Sequence, residues 1–336
     1  MSKSLKLKIG IVGLGMVGEP IKRWFEEQRG YKRGRDLFCY DTDSKKGYSD
    51  DINKADIIFV SVPTPPNPNG SCNISIVENT VNNLKDGKIV VIKSTVTPGT
   101  VEKLQKRHPK KHFLFNPEFL TETQAWLDFL KPDRQIIGFT KKSISDAKEI
   151  LLLLPSAPFV RPWQLDYSTK KQVNATEAEI AKYGANVFGY LKVIYGNILA
   201  DVAYALSNEF KNEKIDSGVD YENIKEIISA DGRIGPAWLD VNHGNYCGAG
   251  GYCFPKDMAA FIGFVGHLIK NLEMTGKKSK SKTDNGLIDS LKNGKRVLES
   301  VHGYNKGLLK WQNLTIDEMS KHDKEIVGQK RKVIRV

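Results

Sequence analysis

Cysteine is scarce in this sequence. The four residues Cys39, Cys72, Cys247 and Cys253 are too few and too scattered to staple 336 residues, which excludes a disulfide framework and implies reduced thiols. Cys247 and Cys253 lack the spacing of a zinc knuckle or a C-x-x-C redox pair, so no metal site is expected. Long apolar runs are absent too. Nothing approaches the ~20 consecutive apolar residues of a membrane span, and MSKSLKLKIGIVG enters an apolar strand without a signal-peptide cleavage pattern. The expected location is the cytoplasm, without membrane partners. No internal repeat is visible. Aromatics are sparse around the basic stretches KKSKSK (277–282) and QKRKVIR (329–335), which carry much of the +12 formal charge. Without interleaved rings to stack bases, these stretches read as a solvated loop and a tail, and no nucleic-acid partner is expected. The positive balance does suit anionic ligands such as phosphates.

The composition, 40% hydrophobic and 27% charged, belongs to a globular chain long enough for about two domains. In the first half, KLKIGIVGLGMVGEPIKRWFEEQ places an apolar run (Ile9, Ile11, Val12) before Gly13, Gly15 and Gly18, and then a helical pattern through Ile21, Trp24 and Phe25. This is G-x-G-x-x-G in its required strand-to-helix context. The glycines permit a tight turn, close approach to a pyrophosphate and close helix–strand packing. A second strand, DLFCYD, ends in Asp41, placed to accept from an adenosine ribose 2′-hydroxyl and so to favour NAD over NADP. The alternative is a turn aspartate ahead of Thr42 and Asp43.

Further strands are expected within 55–65, 87–99, 112–119 and 134–140, which makes the first half a doubly wound sheet. VPTPPNPNG and TVTPG stop two of them at the carboxyl edge, where such sheets bind ligands. Ser61, Thr64 and Thr95 are candidates there for cofactor or sugar contacts. Ordinary turn chemistry accounts for Ser61 and Thr64 equally well.

From Ala175 the apolar period becomes helical: Ile180, Tyr183, Val187, Leu191, Ile194, Ile198, Val202 and Ala205 predict one long spine helix of about thirty residues. Glu179, Lys182 and Asn186 fall on one stripe of it. A lysine and an asparagine four apart usually face water. The apolar neighbours Tyr183, Ala185 and Val187 support the alternative, a lysine inside a cleft that bonds a substrate or a water. Shorter helices are expected over 221–229, 256–271 and 287–309, with TGKKSKSKTDNG (275–286) as a flexible connection.

The stretch GAGGYCFPKD (248–257) places one thiol behind three glycines and ahead of Lys256 and Asp257. A lone cysteine is commonly a small buried hydrophobe. Here Gly248, Gly250 and Gly251 allow the backbone close to a ligand and the charged pair stands beside the sulfur, as a nucleophile would need.

Taken in order, GLGMVG, VSVPTP, KSTVTPG, FNPEFLTE, AKYGAN, DGRIG and GGYCFPKD resemble the UDP-glucose/GDP-mannose dehydrogenase family over roughly residues 8–260, with a fading continuation to about 310. The resemblance implies an α/β fold: a Rossmann-like NAD-binding domain over 1–172, an all-helical central domain with the spine helix over 173–327, and a basic tail over 328–336. It implies NAD-dependent oxidation of the C6 alcohol of a UDP- or GDP-hexose to the acid, through a cysteine thioester, in a homodimer built through the central helix. By motif, Cys253 would be the nucleophile, with Lys182, Asn186 and Asp257 around the C6 oxygen. Glu118 would do acid–base work in thioester hydrolysis. Gly13, Gly15, Met16, Val17, Gly18, Asp41, Val62, Pro63 and Thr64 would line the cofactor, with Thr95 and Glu122 near the nicotinamide. Phe119, Leu120, Gly250 and Gly251 would join the substrate contacts, and Arg233 would reach substrate across the dimer.

Three departures from the family pattern stand out. The segment between Asp41 and Ala55 is short, and PAWLDVNHGNYCGAGG is longer and more polar than the family's loop. A second Rossmann-like domain that grips the nucleotide is expected to be lacking after the helix near 309. Two other classes share parts of this pattern: single-hydride β-hydroxyacid or 6-phosphogluconate dehydrogenases, which leave CFPKD unexplained, and a non-catalytic relative that binds NAD.

Overall fold

The computed structural model describes residues 6–157, 173–242, 246–276 and 282–321. The expected basic tail (328–336), most of KKSKSK and His243–Asn245 of the long polar loop therefore lie outside the described residues. The chain divides into two compact units, Met1–Asn67 with Cys72–Lys182, and Pro68–Ser71 with Tyr183–Val336.

The first unit is built on a six-stranded sheet of order β2-β1-β3-β4-β5-β6. Its strands are β1 (Ile9–Val12), β2 (Leu37–Tyr40), β3 (Ile57–Val60), β4 (Ile89–Ile92), β5 (His112–Phe115) and β6 (Gly138–Phe139). The first five are mutually parallel, with Ile9 opposite both Leu37 and Ile57, and Ile89 opposite His112. β6 pairs antiparallel to β5. Alternation along each strand feeds two separate cores. Ile57 and Phe59 pack with Ile9, Ile11, Phe25 and Leu114 on one face, while Ile58 and Val60 pack with Val90, Ile92, Val101 and Phe115 on the other. A sheet buried on both faces must read as continuous apolar runs, and IGIV, IIFV and IVVI do.

Helices α1 (Gly18–Arg23), α2 (Ser75–Asn82), α3 (Thr100–Arg107), α4 (Ala125–Leu130) and α5 (Ala147–Leu153) cover these faces, and α1 runs on as a π turn through Gln28. The spine is α6 (Ala175–Glu213), 39 residues and about 58 Å long. Its first turn belongs to the first unit because Ala175 and Ala178 pack into the second of the two cores. Gly138 of β6 admits this turn, since a Cβ there would lie 2.7 Å from that of Ala178. The division at Lys182/Tyr183 falls within α6, ten residues beyond the expected domain boundary.

The second unit comprises the rest of α6 with α7 (Tyr221–Ser229), α8 (Phe254–Gly276), α9 (Lys282–Trp311) and α10 (Ile316–Met319). Val187, Tyr190 and Ile194 of α6 pack with Met258 and Phe261 of α8 and with Leu298 and Val301 of α9. The polar stretch 275–286 is helical at both described ends, which shortens the expected connection. No helix among the described residues is long and apolar enough to cross a membrane.

Candidate functional site

The glycine loop leaves β1 with Gly13 at φ +87°, where a Cβ would stand 2.6 Å from the Ser61 carbonyl oxygen. A Cβ at Gly18 would meet the Gly13 carbonyl at 1.8 Å. These two glycines permit the turn itself. Gly15 is different: a Cβ there meets nothing within 4 Å, so its exposed backbone borders open space at the start of α1. Met16 and Val17 are half-buried beside it. Ser61 donates to the Gly13 carbonyl at 2.8 Å and is therefore part of the turn. Val62 accepts from the Ser94 hydroxyl at 2.7 Å, Pro63 is exposed and Thr64 is buried.

Asp41 sits just beyond β2 and ties this loop down. Its carboxylate accepts from the Leu14 N–H at 2.7 Å and the Asp43 N–H at 2.9 Å, and the Lys46 ammonium stands 2.9 Å away. Burial opposes its charge, but the hydrogen bonds from Asp43 and Leu14 and the Lys46 ammonium outweigh that and hold the carboxyl below its ordinary value. The turn reading and the ribose reading are thus compatible, since Oδ1 serves the local turn while Oδ2 faces the loop. An open Gly15 at a helix start with an ionised acid one strand away fits a dinucleotide pyrophosphate and ribose. Lys46 escaped the sequence reading because nothing in SKKG distinguishes it from a solvated lysine.

Beyond β4 and β5 a second polar group forms. Lys93, 3% exposed, ion-pairs with Glu118 at 2.8 Å and donates to the Asn116 side-chain oxygen at 2.7 Å. Glu118 also accepts from the Phe119 N–H at 2.9 Å. The Phe119 ring lies 3.8 Å from the Arg134 guanidinium and 5.6 Å from the Lys182 ammonium. Leu120 packs on the sheet core, Glu122 is half-buried at the start of a 3-10 turn, and the Thr95 carbonyl accepts from the Cys72 thiol at 3.4 Å. Lys93 and Asn116 lie inside KSTVTPG and FNPEFLTE but were not singled out.

The stripe on α6 separates into different roles. Glu179 is fully buried and caps α3, accepting from the Gly99 N–H at 2.5 Å and the Val101 N–H at 2.9 Å. Burial pushes its carboxyl up to about 7 against the pull of those bonds. Lys182 is 7% exposed, so it is not a solvated surface residue. Asn186, one turn further along, donates to Asp257 at 2.6 Å.

Within the second unit, Cys253 directly precedes the 23-residue α8, and its carbonyl accepts from the Asp257 N–H at 2.9 Å. That end of a helix favours negative charge. The sulfur residue is half-buried and forms no disulfide, and Cys247 is fully buried. Asp257 is 0% exposed, bonded to Asn186 and ion-paired with Lys256. The preceding backbone is strapped to α9 and to the residue that follows it. Asn305 bonds both the N–H and the carbonyl of Ala249 at 2.9 Å, and Gln312 bonds those of Cys247 at 2.7 and 2.8 Å.

Two of the glycines read as opening space for a ligand also make room for protein. A Cβ at Gly248 would lie 2.6 Å from the Asn305 side-chain oxygen, and one at Gly250 would lie 2.1 Å from the Tyr246 hydroxyl. Gly251, at φ +77°, makes the last turn before the cysteine. Arg233 is 90% exposed and paired with Asp231, while Lys192 of α6 fixes the same loop by donating to the Ile234 and Gly235 carbonyls. Among the described residues no cluster of His, Cys, Asp and Glu could hold a metal ion.

Comparison with known proteins gives consistent matches in both units. Residues 43–152 match the NAD binding domain of the UDP-glucose/GDP-mannose dehydrogenase family, and residues 176–279 match its central domain. The UDP-glucose 6-dehydrogenase of Pseudomonas aeruginosa is 31% identical over 246 residues, covering 67% of this chain and 49% of the relative. A UDP-glucose dehydrogenase structure from Pyrobaculum islandicum superposes with a TM-score of 0.64 at 26% identity, over 90% of this chain and 69% of that one. A UDP-D-ManNAc dehydrogenase from Pyrococcus horikoshii, with a TM-score of 0.61 at 19% identity over 92% of this chain and 73% of that one, shares the fold. The chain spans about half the length of the curated relatives it matches.

Proposed function

This chain belongs to the UDP-glucose/GDP-mannose dehydrogenase family, and from that premise we propose that it oxidises the C6 alcohol of a UDP-glucose-like nucleotide sugar to the acid through a thioester on Cys253. Its cofactor is NAD. The observation that carries the reading is Asp257. It is a fully buried carboxylate one turn into the helix that Cys253 opens, bonded at 2.6 Å to an asparagine 71 residues away. A buried acid needs partners, and Asn186 and Lys256 supply them, so Asp257 is held in a fixed place one turn from Cys253.

NAD supplies the hydride acceptor, required twice for each acid formed. The chain's residues handle protons and the carbon–sulfur bond. Lys182 and Asp257, directly or through water, take the C6 hydroxyl proton. The Cys253 thiol loses its proton to solvent and its sulfur adds to the aldehyde carbon as the C=O pair moves to oxygen, where Lys182 and Asn186 donate to the oxyanion; loss of the second hydride restores C=O and leaves the thioester. Glu118 takes a proton from the water that hydrolyses the thioester. Phe119 and Leu120 border the sugar, and Thr95 and Glu122 face the nicotinamide. Lys46 and Asp41 hold the adenosine ribose.

The assembly in this reading is a homodimer through α6. Phe188, Tyr195, Ile198 and Val202 recur at 7, 3 and 4 residues on that helix and are 40–61% exposed. A stripe this apolar is what a partner helix covers, and Arg233 would then serve the partner's substrate. The reading sets the enzyme in the cytoplasm, where thiols stay reduced.

The test is a panel of UDP- and GDP-sugars incubated with NAD, with acids identified by mass. Two NADH per acid is the expected stoichiometry. One per product would select single-hydride chemistry, and none with intact NAD binding would select a binding protein.

A further inference from the structure

We propose that Lys93 is a positioning residue for Glu118, fixing which carboxylate oxygen takes the proton during thioester hydrolysis. The inference rests on the reading of Glu118 as the base and adds a residue to it. Oε2 of Glu118 is buried, with the Lys93 ammonium 2.8 Å away as an ion-pair partner off the line of a good hydrogen bond. Oε1 takes the Phe119 N–H at 2.9 Å on one lone pair. The other lone pair of Oε1 is thus the site left for a water proton.

The lysine is itself held on several sides. Its side chain is 2% exposed, its ammonium donates to Asn116 at 2.7 Å, and it lies 5.8 Å from the Phe129 ring. Asn116 cannot turn its amide, because its nitrogen is committed to the Gln135 side-chain oxygen at 2.9 Å and the Ile136 carbonyl at 2.8 Å. Lys93 follows β4, Asn116 follows β5 and Ile136 precedes β6, so rigid strand ends carry the network to Glu118. Other charged groups also border this loop: Arg134 and Lys182 lie 3.8 and 5.6 Å from the Phe119 ring, and Asp128 accepts from the Thr121 N–H at 2.8 Å.

In the step concerned, the water oxygen bonds to the acyl carbon as its proton passes to Glu118 Oε1. The C–S bond then breaks, its electron pair returns to sulfur, and the sugar acid leaves. Without the ammonium, only the Phe119 N–H holds the carboxyl group, and either oxygen can take that bond. Placement errors of this kind cost a rate on the order of 10²-fold.

The experiment mixes the full-length wild type and Lys93→Met, Lys93→Arg and Glu118→Gln variants with NAD and UDP-glucose. It follows the NADH burst by stopped flow and the enzyme by intact mass. Lys93→Met is expected to keep the burst, slow acid release about 10²-fold and accumulate the Cys253 adduct, as Glu118→Gln does. Lys93→Arg, which keeps the cation, is expected to recover most of the loss. Lys93→Gln gives the same comparison if the Met variant fails to fold. Acid release at the wild-type rate in the neutral variants, or equal slowing of burst and release, overturns the inference alone. A wild type without adduct or acid, or a Glu118→Gln variant with normal release, overturns the reading of Glu118 and the inference with it.

Discussion

Glu179→Gln should flatten part of the pH dependence of stability. Glu179 reaches from α6 to the start of α3, where two N–H groups lack helical partners, and it is fully buried there. Two effects compete. Desolvation disfavours the carboxylate, while the N–H bonds and helix dipole favour it, and burial wins, with the carboxyl raised from 4.5 to about 7. A group raised in this way holds its proton more tightly in the folded chain than in the unfolded one. Its contribution is full below pH 4.5 and is lost as pH climbs through 7. The shift from 4.5 to about 7 corresponds to roughly 3 kcal/mol at most. Glutamine has the same shape, keeps one acceptor and does not titrate. Urea denaturation of both proteins between pH 4.5 and 8.5 should show the wild type gaining on the variant by about 2–3 kcal/mol at the acid end. A constant difference across that range would mean that the two backbone bonds keep Glu179 ionised and that the balance of effects has been misjudged.

Cys253→Ser should abolish sustained acid formation, whereas Cys247→Ser, at the other end of the same loop, should change the chemistry little; intact mass after incubation with NAD and substrate distinguishes them, and wild-type acid formation by Cys253→Ser would sink the thioester mechanism. NAD should bind in clear preference to NADP in titration. Asp41→Ala should narrow that preference by about tenfold, and Lys46→Ala should widen it by removing the cation beside the carboxylate; unchanged ratios in both variants would displace the ribose from this site. Asn305→Leu leaves the buried N–H and carbonyl of Ala249 without their partners and should cost roughly 2–5 kcal/mol. A thermal midpoint close to that of the wild type would show that this loop is held in another way.

Local patterns sufficed for the order of elements. The apolar runs IGIV, IIFV and IVVI, the glycine loop and the helical period from Ala175 are short-range signals, since strand burial and helix amphipathicity are written in neighbouring residues. The family motifs also carried the candidate residues, from Gly13 to Asp257. Contacts between distant residues decided the rest. Glu179, Lys182 and Asn186 share a sequence stripe, yet one caps α3, one is buried with its ammonium 5.6 Å from the Phe119 ring and one bonds Asp257. The sequence does not show that Gly248 and Gly250 also leave room for Asn305 and Tyr246. Lys93, Asn305 and Gln312 have no local signature, because a buried amide or ammonium is defined by its partners. Those partners lie 23 to 65 residues away for Asn116, Ala249 and Cys247. Periodicity reports which face of an element is buried, and only the tertiary structure shows which polar groups meet there to satisfy one another.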